Sequence, residues 1–230
     1  MNSNPKGLIV VSGASSGIGR AMSETLLTAG YSVLGIAKDF PAEKIEHDKF
    51  KSAVIDFSDL DKLPEEIEQL IRSIDTPIRG LVNNAGIGRM AFLEQLSVSD
   101  MRLVMETNFL SHAIVTKAFL PTLKQQKKLV DVVFTGSEAA LTGSKQGSIY
   151  CASKFAVRGF TESLAMEMAD TNPNLQIHCV HPGHVGTNIA SNARMDEEEF
   201  NNQVEERQNS IFTRGAPATL EEMGNQFREG

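Results

Sequence analysis

A doubly wound α/β domain, a parallel sheet of at least six strands with helices on both faces, is the fold this sequence predicts. Two observations predict it. Short runs rich in Val, Ile and Leu alternate with longer amphipathic stretches from the first residues onward. The first such run, moreover, passes through a glycine-rich loop straight into a helical pattern. Compact apolar runs suit strands buried on both faces, and strict strand–helix alternation implies right-handed crossovers between parallel strands.

In chain order, strands are expected at 7–12, 32–37, 52–55, 79–83, 130–135 and 175–181, and helices at 17–29, 59–74, 97–124 and 147–170. In the third of these helices Met101, Val104, Met105, Asn108 and Phe109 recur at the three-and-four spacing of one face. The connection 38–51 is short, charged and carries Pro41, so any helix there is one or two turns. After Gly183 no further strand-like run occurs, and 187–230 reads as loop and helix. The chain is therefore expected to be a single domain over 1–230, with 184–230 as a substrate lid and an incomplete C-terminal region.

Composition limits the partners. With 41% hydrophobic and 22% charged residues the chain has the make-up of a globular protein. No run approaches eighteen apolar residues, so no membrane span is expected, and the short polar lead before Leu8 does not read as a signal peptide. The net charge is −7, but residues 195–230 hold nine acids against three arginines and the first 194 residues are left at −1. A nearly neutral body without a basic stripe argues against nucleic acid as partner. Two cysteines, Cys151 and Cys179, make neither a disulfide framework nor a zinc cluster, so no metal is expected and a reducing cytoplasm fits.

The first loop reads Ser12-Gly13-Ala14-Ser15-Ser16-Gly17-Ile18-Gly19. Its glycines let the backbone turn tightly and approach a pyrophosphate, whose charge is favoured at a helix N-terminus. The spacing is Gly-x-x-x-Gly-x-Gly, not the Gly-x-Gly-x-x-Gly of the more familiar dinucleotide fingerprint, and such a turn can also serve packing alone. At the end of the second strand Lys38 and Asp39 stand side by side. A cation there suits a 2′-phosphate and an acid suits free ribose hydroxyls, so the local residues leave both open.

Tyr150 is one of only two tyrosines and precedes Lys154 by four, which stacks the two on one helix face. A phenol titrates near 10, and a neighbouring ammonium together with an oxidised nicotinamide would favour its phenolate. A Tyr–Lys pair at this spacing is also a common feature of exposed helix faces. Ser137 ends the strand 130–135, where open α/β sheets hold ligands, although a serine there also caps turns. Asn83-Asn84-Ala85-Gly86 ends another strand, and Asn108 sits on a buried helix face, unfavourable unless its amide is used.

Together these motifs resemble the short-chain dehydrogenase/reductase family, a Rossmann-type fold, from about residue 7 to residue 189. The resemblance rests on Ser12 to Gly19, Asp56, Asn83 to Gly86, Asn108, Ser137, Tyr150, Lys154 and Pro182-Gly183-His184-Val185-Gly186-Thr187. It implies an oxidoreductase that moves a hydride between a nicotinamide cofactor and a carbonyl or alcohol carbon of a small molecule. Tyr150 would exchange the proton with the substrate oxygen, Lys154 would lower its pKa and hold the nicotinamide ribose, Ser137 would bind the substrate oxygen, and Asn108 would anchor a water-linked relay. Cofactor contacts are expected from Gly13, Ser15, Ser16, Gly17, Ile18, Gly19, Asp56, Asn84, Ala85, Gly86, Pro182, Gly183, Val185 and Thr187, besides Tyr150 and Lys154. By register the acid of NAD users would fall on Ala37 and the base of NADP users on Lys38, which favours NADP(H) over NAD(H).

The chain departs from the family pattern in Ser12 for a threonine, in Gly136 for a serine, and in the absence of a visible seventh strand. That last departure leaves room for a dinucleotide-binding regulator or scaffold without turnover. A sugar-nucleotide epimerase or dehydratase would carry a different glycine spacing and a larger C-terminal region. Apolar residues such as Val185, Ile189, Met195 and Phe212 hint at an apolar substrate body, and equally suit core-facing helix positions. The family further implies a homodimer or homotetramer built through the helices 97–124 and 147–170.

Overall fold

A computed structural model of the chain describes residues 6–43 and 45–183. The expected substrate lid over 184–230, with Val185 and Thr187, lies outside the described residues. Six strands form one parallel sheet: β1 (Leu8–Ser12), β2 (Ser32–Ala37), β3 (Phe50–Val54), β4 (Ile78–Asn83), β5 (Val130–Thr135) and β6 (Leu175–Val180). Their order is β3-β2-β1-β4-β5-β6. The chain winds outward from β1 to β3, returns across β1 to β4 and winds outward the other way. The connections that follow β1 and β4 therefore lead to opposite sides of the sheet and leave a crevice at its carboxyl edge, the place where doubly wound sheets bind ligands.

Five α-helices connect the strands: α1 (Gly17–Thr28), α2 (Leu63–Arg72), α3 (Val98–Met105), α4 (Ser111–Lys124) and α5 (Ser148–Thr171). One face of the sheet packs Val10, Leu34, Ile36, Leu81, Val132 and Phe134 against apolar residues of α2, α4 and α5, among them Ile67, Phe119, Leu123, Val157 and Leu164. The other face packs Ile9, Val11, Val33 and Val82 against Leu27, Leu26 and Met22 of α1. The alternation along β1 is thus split between two cores, and this central strand reads as a continuous apolar run, whereas the edge strands β3 and β6 carry exposed polar residues.

Two expectations are corrected. The segment expected as one helix over 97–124 is α3 and α4 joined by a π-helical turn, Glu106–Leu110. Ser97 caps α3, its hydroxyl accepting the Asp100 N–H at 3.1 Å. The π turn carries one residue more than an α turn, and its position at Asn108 serves the contacts described below. In the connection 38–51 the described residues before β3 form no helix at all. Pro41 removes a donor there and the apolar residues Phe40 and Ile45 pack on the α1 core instead of following a helical period.

Candidate active site

The crevice holds a cavity of about 490 Å³. Its floor is the first loop. Gly13 has φ +67°, a left-handed conformation that glycine adopts without penalty, and it turns β1 into α1. Gly19 is closer still: a Cβ there would run into the Gly13 carbonyl and stand 2.6 Å from Asn84 Nδ2. Gly19→Ala should therefore lose about 1–3 kcal/mol of stability and weaken nucleotide binding with it; urea unfolding of the two proteins checks this, and equal midpoints would refute the close approach. The N-terminus of α1 has no side-chain cap and no acid in its first turn, so its N–H groups are free to receive an anion.

Ser12 ties this loop to the end of β4. Its hydroxyl oxygen accepts the N–H groups of Asn84 (2.8 Å) and Ala85 (3.0 Å), and its proton goes to the Val82 carbonyl (3.2 Å). Asn84 Nδ2 donates to the Ser12 carbonyl at 3.1 Å. Gly13, residues 15–18, Asn84, Ala85 and Gly86 all line the cavity, whereas Gly19 packs behind it.

At the end beyond β2, Lys38 and Asp56 line the cavity and pair at 3.3 Å. Burial pulls the Asp56 carboxyl upward, but hydrogen bonds from the Ser58 hydroxyl and N–H and the Lys38 cation outweigh it and hold the pKa below the usual value. Lys38 is 70% exposed on its side chain, so the pair costs little to open. Asp39 lines the same end.

The opposite end gathers Ser137, Tyr150 and Lys154. Ser137 caps the short 3-10 turn Glu138–Ala140, accepting the Ala139 N–H at 3.1 Å. The capping reading of this serine thus holds, and its hydroxyl is also near enough to Tyr150 to favour the phenolate. The Tyr150 pKa is raised, chiefly because burial disfavours the phenolate; the Ser137 hydroxyl pulls the other way, and Cys151 and Glu138 add small upward pushes. Lys154 is buried, donates to the Thr135 carbonyl at 2.9 Å and has its Nζ 5.8 Å from the centre of the Tyr150 ring. Burial lowers its pKa to about 8. The pair is interior, not the exposed helix pair that the spacing also allowed.

Asn108 stands behind this end, fully buried. Its Oδ1 accepts the Ile87 N–H (2.8 Å), and its Nδ2 donates to the Ile87 carbonyl (3.0 Å) and the Ser153 hydroxyl (3.0 Å). The amide is used in full, which explains an asparagine on a buried face. It clamps the segment after β4 to α5.

Sequence reasoning missed several residues. Ile87, Gly88, Arg89, Leu103, Thr107 and Thr135 line the cavity, brought there by the loop after β4 and by strand and helix ends. Arg89 is held by Asp100 at 3.3 Å. The hydroxyls of Thr107 and Thr135 are buried without a hydrogen-bond partner. His112, on α4, is also buried; its Nε2–H donates to the Ala85 carbonyl at 2.7 Å. Its place one turn past Asn108 was the only available signal. Among the described residues no three His, Cys, Asp or Glu side chains gather to hold a metal, and no helix is long and apolar enough to cross a membrane.

Fold and crevice together define a doubly wound dinucleotide-binding domain. A sequence profile of the short chain dehydrogenases matches residues 7–198. The chain is 30% identical over 190 residues to the 3-ketodihydrosphingosine reductase of Bacteroides thetaiotaomicron, covering 83% of this chain and 68% of that protein. Among solved structures it is similar to a short chain dehydrogenase/reductase from Burkholderia phymatum in complex with NAD, with 25% identity, 84% and 70% of the two chains covered and a TM-score of 0.73. It is also similar to an alcohol dehydrogenase from the archaeon Thermococcus sibiricus complexed with 5-hydroxy-NADP, with 26% identity, 82% and 81% covered and a TM-score of 0.70. The chain belongs to the short-chain dehydrogenase/reductase family, a family of nicotinamide-dependent oxidoreductases.

Proposed function

We propose that this chain transfers a hydride between a nicotinamide dinucleotide and a carbonyl or alcohol carbon of a small molecule, with Tyr150 exchanging the proton at the substrate oxygen. The observation that carries the reading is the meeting of Ser137 and Tyr150 beside buried Lys154 at one end of a cavity whose other end is a glycine loop. The residues present fit the cofactor. The uncapped start of α1 suits a pyrophosphate, and Asp56 and Lys38 flank the adenosine end. Pro182 and Gly183 line the same cavity; Val185 and Thr187 are proposed as further cofactor contacts.

A bound nicotinamide supplies or accepts the hydride, and the protein's part is position and proton. Ser137 donates to the substrate oxygen and keeps it within reach of Tyr150. The Tyr150 hydroxyl gives its proton to that oxygen in reduction and takes it back in oxidation. The Lys154 cation, held by the Thr135 carbonyl, stabilises the phenolate whenever it forms. Asn108 acts through Ile87 and Ser153, keeping the loop and α5 at the spacing this requires. The reductase name of the bacterial relative supports carbonyl reduction as the working direction.

NADP(H) is the proposed cofactor, with NAD(H) second. Lys38 supports it, because a mobile cation at the adenosine end can turn from Asp56 to a 2′-phosphate. Titration of the fluorescence of NADPH and NADH, in a chain that has no tryptophan to interfere, tests this directly. Lys38→Asp should weaken NADPH roughly 10- to 100-fold and leave NADH nearly unchanged. Equal losses for both nucleotides would remove the phosphate preference; binding of neither by the wild type would favour the regulator or scaffold reading. A cytoplasmic homodimer or homotetramer completes the proposal.

A further inference from the structure

His181 follows β6 and lies beside the Gly136–Glu138 segment that carries Ser137. Two backbone bonds zip these segments together, Gly136 N–H to the Val180 carbonyl (2.8 Å) and Glu138 N–H to the Pro182 carbonyl (3.0 Å). The residue between them, Ser137, is held differently. Its carbonyl, which accepts the Ala140 N–H at 2.9 Å, also faces the His181 imidazole, with Nδ1 at 3.1 Å. A carbonyl only accepts, so Nδ1 carries the proton, and it does so in both the neutral Nδ1–H tautomer and the imidazolium. The side chain thus completes a row of three bonds at 136, 137 and 138.

Gly136 makes the arrangement possible. A Cβ at that position would stand 2.6 Å from His181 Nδ1 and 2.9 Å from Cε1, closer than such atoms approach. The imidazole occupies room that only glycine leaves. The departure at 136 noted in the sequence is therefore matched by a bulky donor at 181, two residues that the sequence separates by the whole of α5 and β6.

We propose that His181 is a positioning residue for Ser137: its Nδ1–H holds the Ser137 carbonyl, and through it aims the Ser137 hydroxyl at Tyr150. The inference rests on the reading of Ser137 and Tyr150 as the groups that meet the substrate oxygen. It concerns orientation and does not require His181 to touch substrate or cofactor.

Asn and Leu are close in size and differ in the one property at issue, since an asparagine amide can place an N–H where Nδ1 stands and a leucine cannot. The test compares wild type, His181→Asn and His181→Leu after labelling tyrosine at Cζ with carbon-13. Only two tyrosines are present, Tyr31 and Tyr150, and Tyr31→Phe assigns the signals. Because the Ser137 hydroxyl favours the Tyr150 phenolate, loosening it moves the Tyr150 titration upward. His181→Leu is expected to shift that titration up by at least about half a unit, roughly threefold in the ionisation constant, while His181→Asn follows wild type. Melting followed by circular dichroism shows that all three remain folded. Equal titrations in the three proteins, equal shifts in Leu and Asn, or loss of the fold in either variant overturns the assignment. No nucleotide or substrate enters the measurement, so its outcome is independent of whether the chain turns over.

Discussion

Tyr150→Phe lowers kcat by about 10²- to 10⁴-fold while leaving the Kd for the reduced nicotinamide cofactor within a few-fold of wild type. The range is that of a lost general acid. The substitution removes one oxygen and keeps the ring on which the Lys154 ammonium sits, at 5.8 Å from its centre, so the packing of α5 is preserved. Steady-state oxidation of NADPH with ethyl acetoacetate as a probe ketone reads the first quantity, and nucleotide fluorescence reads the second. A variant that keeps more than about a tenth of the wild-type rate would falsify the assignment of the proton to Tyr150. In the free protein, burial holds the phenol above its ordinary pKa; a bound oxidised nicotinamide would add a cation that favours its ionisation. The alcohol-oxidation rate should accordingly rise with pH, and with nucleotide bound its midpoint should lie lower than the titration of the free protein.

The second large effect is on stability in acid. His112 is fully buried, and burial first, with the nearby Lys154 cation adding to it, lowers its pKa from 6.5 to about 3; the bond to the Ala85 carbonyl opposes this without reversing it. In the unfolded chain the same imidazole takes up a proton near 6.5. Between those two values the unfolded state holds a proton that the native state does not, so stability rises with pH across this interval. Its contribution is complete above about pH 6.5 and drains away as the pH falls towards 3, by ~1.36 kcal/mol per unit and roughly 5 kcal/mol in all. Urea unfolding of wild type and His112→Gln at pH 7, 6, 5 and 4 measures the difference. The glutamine keeps a donor for Ala85 and cannot titrate, so its stability should fall less steeply between pH 6 and 4. Parallel curves would show that His112 is not the group responsible. This cost is tolerated because the neutral ring fastens α4 to the loop after β4, the same loop that Asn108 clamps from the π turn.

How much of this was legible beforehand differs from element to element. All six strands and their parallel arrangement follow from the local pattern, because central strands buried on both faces must be apolar throughout and helices carry the chain between most of the parallel neighbours. The exception is β2 and β3, which pair in parallel with no helix among the described residues between them. The glycine loop was equally plain: Gly13 needs a positive φ and Gly19 admits no side chain, and both demands fall on single residues that nothing else can replace. The spacing of Tyr150 and Lys154 placed them on one helix face, but not whether that face was wet or dry. Only packing under β5 decided that, by burying Lys154 against the Thr135 carbonyl. The helix expected over 97–124 hid a π turn, since a single inserted residue leaves the three-and-four apolar pattern nearly intact.

The residues that reading along the chain could not find are those whose role exists only between distant segments. His112 reads as one more polar residue until α4 lays it under Ala85, and Thr107 and Thr135 show no purpose until the fold brings both to the wall of a common cavity. His181 and Gly136 acquire meaning only together, one filling the room the other leaves. The sequence by itself determined the strand order's ingredients, the loop that can approach a phosphate and the identities of the groups able to move a proton. The tertiary structure alone decided which of those groups are dry, which carbonyl each donor reaches and which charges feel one another. Periodicity and glycine requirements act within a few residues of chain, whereas desolvation and hydrogen-bond partnership depend on whatever the fold brings within a few ångströms.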